Sequence, residues 1–135
     1  MSRKMFVNLP VKNLGESMRF FEALGFSFNP QFTSEEAASM VISEHNYAML
    51  LTEDYFRQFT PRDIVDARRA TEVLVALSCD DRAEVDEFVR RAVAAGGAAH
   101  GEPRDYGFMY SHGFHDPDGH IWEVFHMDVS KFPKE

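Results

Sequence analysis

The sequence repeats one order of elements at a spacing of half its length. A shift of 68 residues places Val11 on Cys79 and Phe20 on Phe88 in the 135-residue chain. Each half begins with a strand-like run, continues with apolar residues at helical spacing, and ends with three more strand-like runs. This pattern predicts an α+β fold of two βαβββ repeats. The alternative is a generic α+β domain with accidental symmetry, but the agreement of element order, spacing and helix faces favours the repeat.

Predicted boundaries follow from the apolar periodicity and from the glycines that end each helix. The first module, about residues 4–52, is predicted to contain a strand, a helix and three strands, over Met5–Val11, Leu14–Leu24, Phe26–Phe32, Ala38–Ser43 and Tyr47–Thr52. The second module, about residues 71–128, is predicted to follow the same order, with strands over Glu72–Cys79, Ala98–Glu102, Gly107–His115 and His120–Met127 and a helix that ends at Gly96-Gly97. The buried face of this helix is predicted to carry the apolar residues Val85, Phe88, Val89, Ala92 and Val93. Asp80 or Asp81 is predicted to cap the second helix. The whole chain, 1–135, is expected to be a single domain.

The linker, about residues 53–70, contains several aromatic and charged residues. A linker of this length with aromatic residues predicts some structure of its own, such as a short helix near Asp54–Phe59. Two interpretations remain open. The linker covers a ligand cavity, or it crosses the surface and its aromatic side chains cover part of the core.

Composition limits the classes of partner and the compartment. The formal net charge is −8, with lysine and arginine scattered along the chain, so nucleic acid is not an expected partner. A single cysteine, Cys79, excludes an internal disulfide. The amino-terminal residues lack the apolar core of a signal peptide, and no apolar stretch approaches the ~20 residues of a membrane helix. We therefore expect a cytoplasmic protein that is not a membrane partner.

Two segments carry a resemblance to a known family. The first is Leu9–Ser17 with the phenylalanine pair and the Leu-Gly-Phe that follow, and the second is Phe114–Glu123, which reads FHDPDGHIWE. Together they resemble the vicinal-oxygen-chelate superfamily, the glyoxalase, bleomycin-resistance and extradiol-dioxygenase relatives, over nearly the whole chain. The resemblance implies that the two modules form a cupped mixed sheet around a ligand cavity, with the helices outside.

The resemblance also implies a divalent metal held by four side chains, two from each module. These positions fall on Phe6, near Leu50, on Leu74 and on Glu123. Phenylalanine and leucine have no lone pairs to donate, and one carboxylate does not hold a transition metal against water. We therefore interpret the chain as a metal-ligand-depleted member for which no cofactor is expected. A metal held through substituted ligands is the alternative.

The remaining candidate residues come from strand alternation. Asn8 shares the face of Phe6, and a cavity floor of Phe6, Leu50 and Leu74 would suit an aromatic or hydrophobic ligand. If the turn at Asp116–Gly119 pairs His115 with His120, six side chains of the hairpin face the cavity, namely Tyr110, His112, Phe114, Ile121, Glu123 and Phe125. Within this register His112 faces Glu123. The two are therefore candidates for a catalytic or ligand-orienting pair, with a satisfied polar pair as the alternative.

The other face of the same hairpin takes the remaining histidines and the tryptophan. The predicted register places His115, His120, Trp122 and His126 there. His115 and His120 flank the turn and are expected to be solvated, whereas Trp122 is expected to pack in the core under the outer helix. His100 lies in a loop context in which no partner can be named.

Three functions are compatible with these observations. The leading hypothesis is metal-independent binding of a small aromatic or hydrophobic ligand, as in a resistance protein, or an enzyme that uses Glu123 and His112. The second is a metal-dependent lyase or dioxygenase with substituted ligands. The third is a structural or regulatory dimer. A homodimer is expected because the resemblance implies cavities built across two chains and because Pro10 indicates an edge strand.

Overall fold

The computed structural model describes residues 2–132, which form two compact units, one ending at Asp66 and the other beginning at Ala67. The first unit contains β1, α1, β2, β3, β4 and α2, spanning Met5–Val11, Leu14–Ala23, Ser27–Asn29, Ala37–Val41, Asn46–Thr52 and Glu53–Phe56. The second contains β5, α3, β6, β7, β8 and β9, spanning Val75–Ser78, Arg82–Ala94, Ala98–Ala99, Arg104–Asp105, Met109–His115 and Ile121–Met127. Short 3-10 helices span Pro30–Phe32, Arg57–Phe59 and Val129–Lys131.

The two units repeat one sheet topology. The strand order is β1-β4-β3-β2 in the first unit and β5-β9-β8-β6 in the second, where β7 also pairs with β8. β1 runs parallel to β4, and β5 runs parallel to β9, whereas all other neighbouring strands are antiparallel. The predicted α+β fold with βαβββ order is confirmed.

The main helices begin and end for local reasons that the sequence contains. The Asn13 side chain accepts a hydrogen bond from the Glu16 amide at 3.0 Å, and Asp81 accepts one from the Glu84 amide at 2.8 Å. These caps satisfy amides that have no partner inside the helix. Beyond each carboxyl end a glycine adopts a positive φ, namely Gly25 and Gly96.

One face of each helix packs on its sheet. In the first unit the buried residues include Leu9, Val11, Phe21, Met40, Ala48 and Leu50. In the second, Val85 and Ala92 of α3 are fully buried, as are Phe114, Trp122 and Val124 of the hairpin β8–β9. The prediction that Trp122 packs in the core is confirmed. Val93, which was expected on the buried face of α3, is instead 51% exposed, so that face is narrower than predicted.

Several predicted strands are shorter in the structure. Pro30 begins a 3-10 helix, so the strand predicted over Phe26–Phe32 ends at Asn29. The strand predicted over Ala98–Glu102 ends at Ala99, and Arg104–Asp105 forms a separate short strand. The short helix predicted in the linker is confirmed as α2 and the 3-10 helix that follows it, although Phe59 is 66% exposed and does not cover the core. Within residues 2–132 no helix is long and apolar enough to cross a membrane.

Candidate functional site

The hairpin β8–β9 carries most of the predicted site residues, and its register differs from the prediction by one residue. His115 pairs with Ile121 and Gly113 pairs with Glu123, so the loop is Asp116–His120. The backbone amide of Asp116 donates to the His120 carbonyl at 3.1 Å. The Asp116 carboxylate also accepts the amide hydrogen of His120 at 3.0 Å. These bonds hold His120 in the loop, where the prediction had placed it in the strand.

The corrected register separates His112 from Glu123. His112 pairs with Val124, and residues directly opposite one another share a face, so His112 and Glu123 lie on opposite faces of the sheet. The Nε2 atom of His112 lies 2.8 Å from the Gly101 carbonyl oxygen. The predicted catalytic or ligand-orienting pair of His112 with Glu123 is therefore wrong, and of the two only Glu123 remains a candidate.

Tyr110 and Phe114 also lie on the face opposite Glu123. The Tyr110 hydroxyl donates a hydrogen bond to the Asp86 carboxylate of α3 at 2.6 Å, and this bond raises the pKa of Tyr110. The Arg82 guanidinium lies over the Tyr110 ring, 5.1 Å from its centroid. Tyr110 thus helps to join α3 to β8, and the prediction that it shares a ligand-binding wall with Glu123 is wrong.

Leu50 requires a similar correction in the first unit. It pairs with Leu9 and with Ala38, and all three side chains are buried on the core face of the sheet. Phe6 lies three residues before Leu9 on β1, so its side chain points to the opposite face of the sheet. There it stacks on Tyr47, with a distance of 4.8 Å between the ring centroids. Leu50 therefore does not join Phe6 in a cavity floor.

The face of the second sheet that points away from α3 is called the α3-distal face below. On β5, β8 and β9 it comprises Ala76, Ser78, Met109, Ser111, Gly113, His115, Ile121, Glu123, Phe125 and Met127. Apart from Gly113, these residues are half-buried or exposed, whereas the hairpin residues that face α3 include the fully buried Phe114, Trp122 and Val124. Around Glu123, side chains on the α3-distal face are therefore accessible, whereas Phe114, Trp122 and Val124 on the other face are not.

Glu123 lies on this face between two small residues. Its Cα partners are Gly113 on β8 and Ala76 on β5. The next partners along the strand repeat the pattern, because Phe125 lies between Ser111 and Ser78. A carboxylate and an aromatic ring therefore stand side by side, with small neighbours on both flanks. Such a surface combines a hydrogen-bond acceptor with apolar contact area.

A pair of histidines that the sequence analysis did not connect lies on the same face. The amide of His100 donates to the Gly113 carbonyl, and a Cβ added to Gly113 would lie 3.3 Å from the His100 Cβ, so the glycine gives room for His100. The Nδ1 atom of His100 lies 2.8 Å from Nε2 of His115. Burial, His100 and Arg68 lower the pKa of His115. The prediction that His115 is solvated is wrong, since it is half-buried and hydrogen-bonded.

Arg104 is a further residue of this face that the sequence pattern did not indicate. It pairs with Ser111, which places it on the α3-distal face. Its neighbour Asp105 points the other way and binds the Arg82 guanidinium with two contacts, of 2.6 and 3.0 Å. A hydrogen bond with the Tyr106 side chain raises the pKa of Arg104, and the negative charge of Glu123 contributes to the same shift. The sequence offered no signal for this position, because the strand pattern predicted no strand at Arg104–Asp105.

The four positions at which the family would hold a metal do not provide a ligand set in this chain. Asn8 and Ala76 are 68 residues apart and are therefore equivalent positions in the two repeats. Asn8 pairs with Met49, and Ala76 pairs with Glu123. The position equivalent to Glu123 is therefore Met49 rather than Leu50. The donor set is then one phenylalanine, one methionine, one leucine and one carboxylate. It does not fit Zn²⁺, Ni²⁺ or Fe²⁺, which require three or four N, O or S ligands. In the described part of the chain, no three His, Cys, Asp or Glu residues are grouped to hold a metal ion.

Comparison with known proteins identifies the family. Residues 5–124 match the Glyoxalase/Bleomycin resistance protein/Dioxygenase superfamily. The chain therefore belongs to this superfamily, as the two sequence segments indicated. No curated protein matched the sequence.

Solved structures agree with this fold. A hypothetical protein from S. aureus is 28% identical, with a TM-score of 0.79 over 93% of this chain and 94% of that one. A glyoxalase/bleomycin resistance protein/dioxygenase family enzyme from Burkholderia phytofirmans PsJN is 16% identical, with a TM-score of 0.77 over 93% and 99%. The fosfomycin resistance protein FosX from Listeria monocytogenes is 21% identical, with a TM-score of 0.67 over 100% and 95%. The last two likenesses concern the fold alone.

Proposed function

We propose that this protein binds a small ligand with an aromatic or apolar part on the α3-distal face, without a metal, and that Glu123 is the main polar contact. The observation that carries the proposal is the position of Glu123 beside Phe125, with small residues on both flanks. The half-buried state of both side chains supports it, because they are accessible yet partly shielded from water. The superfamily includes proteins named for drug resistance and for catalysis, which is consistent with a small-molecule ligand.

Leu74 extends the proposed site on the second unit, and the first unit has candidate ligand contacts of its own. Leu74, which precedes β5 and is 51% exposed, continues the apolar surface near Ile121. In the first unit, Phe6 and Asn8 lie on the face that points away from the buried Leu9, and they remain proposed ligand contacts. Their side chains offer an aromatic surface and an amide with both a donor and an acceptor.

The proposal is tested by replacing Glu123 with glutamine, which keeps the volume and removes the charge. Small aromatic molecules bearing hydroxyl, amide or amine groups are first screened by the shift they cause in melting temperature. The affinity of each hit is then measured by titration calorimetry. We expect Glu123→Gln to weaken binding by about 1–3 kcal/mol, because a charged hydrogen bond in a partly shielded site is lost.

Glu22→Gln is the matched control, since Glu22 is an exposed glutamate on α1. It should leave the affinity of every hit unchanged. Hits that bind Glu123→Gln as tightly as the parent protein would contradict the role of Glu123. A screen without any hit would contradict the proposed function itself.

The metal-dependent alternative is tested by the metal content of the purified protein. We expect fewer than about 0.1 Zn, Ni, Fe or Mn per chain after purification without added metal, because three of the four family positions lack a strong donor. Elemental analysis by plasma mass spectrometry provides the measurement. About one metal ion per chain, lost on Glu123→Ala, would instead support a metal-dependent lyase or dioxygenase.

We also propose a homodimer. The strand β1 lies at the edge of the first sheet and contains Pro10, and its exposed Met5 and Phe6 are 62% and 51% accessible. An exposed apolar edge is a site at which a second chain can pack. Sedimentation at micromolar concentration should give twice the 15.5 kDa of one chain. A monomer throughout that range would contradict the proposal.

A further inference from the structure

The α3-distal face carries two opposite charges that do not neutralise each other by direct contact. Arg104 lies on this face because it pairs with Ser111. Ser111 in turn pairs with Phe125, which is two residues after Glu123 on the same strand and on the same face. Among residues 2–132, neither Arg104 nor Glu123 takes part in a salt bridge. The charges therefore remain available to a third group.

The arginines of α3 differ in this respect. Arg82 binds Asp105 at 2.6 Å, and Arg90 and Arg91 both bind Glu87. Arg104 has no carboxylate in such contact within residues 2–132, and the Tyr106 side chain and the charge of Glu123 raise its pKa. A guanidinium without a carboxylate partner presents its N–H groups as a fork that matches a carboxylate.

The groups between the two charges suit one ligand that spans them. Ser111 is the direct partner of Arg104 and lies diagonal to Glu123, and its hydroxyl donates or accepts. Phe125 provides an aromatic surface beside both. The protein as a whole carries a net charge of −8, which repels anions, so recognition of an acid on this face requires a local cation.

We propose that Arg104 is the anion-recognition residue of this face and that the ligand is a small dipolar organic acid. Its carboxylate contacts Arg104, its hydroxyl or ammonium group contacts Glu123, and its apolar part lies on Phe125. This inference rests on the proposed function, because it places the ligand at the same site. It adds a prediction about ligand chemistry, namely a preference for an acid over the corresponding amide.

The test uses matched acids and amides with the full chain. Mandelate and phenyllactate are compared with mandelamide and phenyllactamide by titration calorimetry. We expect the parent protein to bind each acid roughly 10-fold more tightly than its amide, the effect of one charged hydrogen-bonded contact. Arg104→Gln should abolish this preference and leave the amide affinity within about twofold. Arg104→Lys should retain part of the preference, because it keeps the charge and loses the fork.

Arg90→Gln is the control, since Arg90 is an exposed, paired arginine on α3, and it should keep the full preference. Melting curves verify that each variant is folded, and Arg104→Lys provides a second variant if the glutamine variant is not. Acids and amides that bind equally, or a preference that survives Arg104→Gln, would overturn the assignment of Arg104. If these probes fail while other molecules bind through Glu123, this inference is wrong and the proposed function stands. If nothing binds, both are wrong.

Discussion

Replacing Asp116 with alanine is expected to destabilise the second unit by about 3 kcal/mol, because three hydrogen-bond donors lose one acceptor group. Asp116 is 4% exposed. Its Oδ1 atom accepts the amide hydrogens of Asp118 and His120 at 3.0 Å each, and its Oδ2 atom accepts the indole N–H of the buried Trp122 at 3.1 Å. The same side chain thus fixes the loop and the core. Chemical denaturation followed by tryptophan fluorescence provides the measurement.

The control for this variant is Asp54→Ala. Asp54 is a fully solvated aspartate whose side chain is 99% accessible and pairs with Arg57, so its loss should change stability by less than about 0.5 kcal/mol. Equal effects of the two substitutions would contradict the structural role of Asp116.

The pH dependence of stability gives an independent readout of the same carboxyl group. Burial raises the pKa of Asp116 above its ordinary value of 3.8, although the His120 charge and the Trp122 hydrogen bond oppose the shift. The folded state then binds a proton more readily than the unfolded chain. The contribution of Asp116 to stability should therefore decrease as the pH rises from 3.8 through the raised pKa, and be constant above it. Asp116→Asn should remove this slope.

Replacing Gly119 with alanine is expected to cost about 2–3 kcal/mol of stability, from two causes. Gly119 adopts a φ of +92°, a conformation that L-residues rarely adopt. An added Cβ would also lie 2.7 Å from Cγ of Arg68 and 3.1 Å from its backbone nitrogen. Arg68 itself is held on the loop, because its guanidinium donates to the Pro117 carbonyl. The chain on both sides of this contact would therefore have to move.

Gly96→Ala separates the two causes. Gly96 has a φ of +103°, but no atom lies within 4 Å of an added Cβ, so its replacement should cost only the backbone term of about 1 kcal/mol. Thermal and urea denaturation of both variants should give a difference of at least about 1 kcal/mol, from the contact with Arg68. Equal losses would show that Arg68 does not pack closely against the loop.

Local patterns predicted the elements of the fold because each is decided by neighbouring residues. The cap Asp81 and the apolar spacing of α1 and α3 are such local signals. The family segments added the topology. Two strand ends were predicted wrongly, because Pro30 begins a 3-10 helix that ends β2 at Asn29, and β6 ends at Ala99.

The site was harder to predict, because a shift of one residue exchanges the two faces of a strand. The turn signal at Asp116–Gly119 predicted a hairpin but left open whether His120 belongs to the loop. That choice depends on the buried carboxylate of Asp116, whose contact with Trp122 is not visible as a pattern. Phe125 kept its expected face beside Glu123, whereas His112 and Tyr110 did not. Arg104 was missed because it lies on a two-residue strand.

The most direct test of the account is to map a bound ligand on the protein by NMR. Amide chemical shifts of ¹⁵N-labelled protein are recorded during titration with mandelate or with the tightest hit of the screen. We predict that the largest shifts occur at Ser111, Gly113, Glu123 and Phe125 and in the neighbouring strand at Ala76, all on the α3-distal face. Shifts concentrated at Asp86, Tyr110 and His112, on the side that faces α3, would contradict the proposed site.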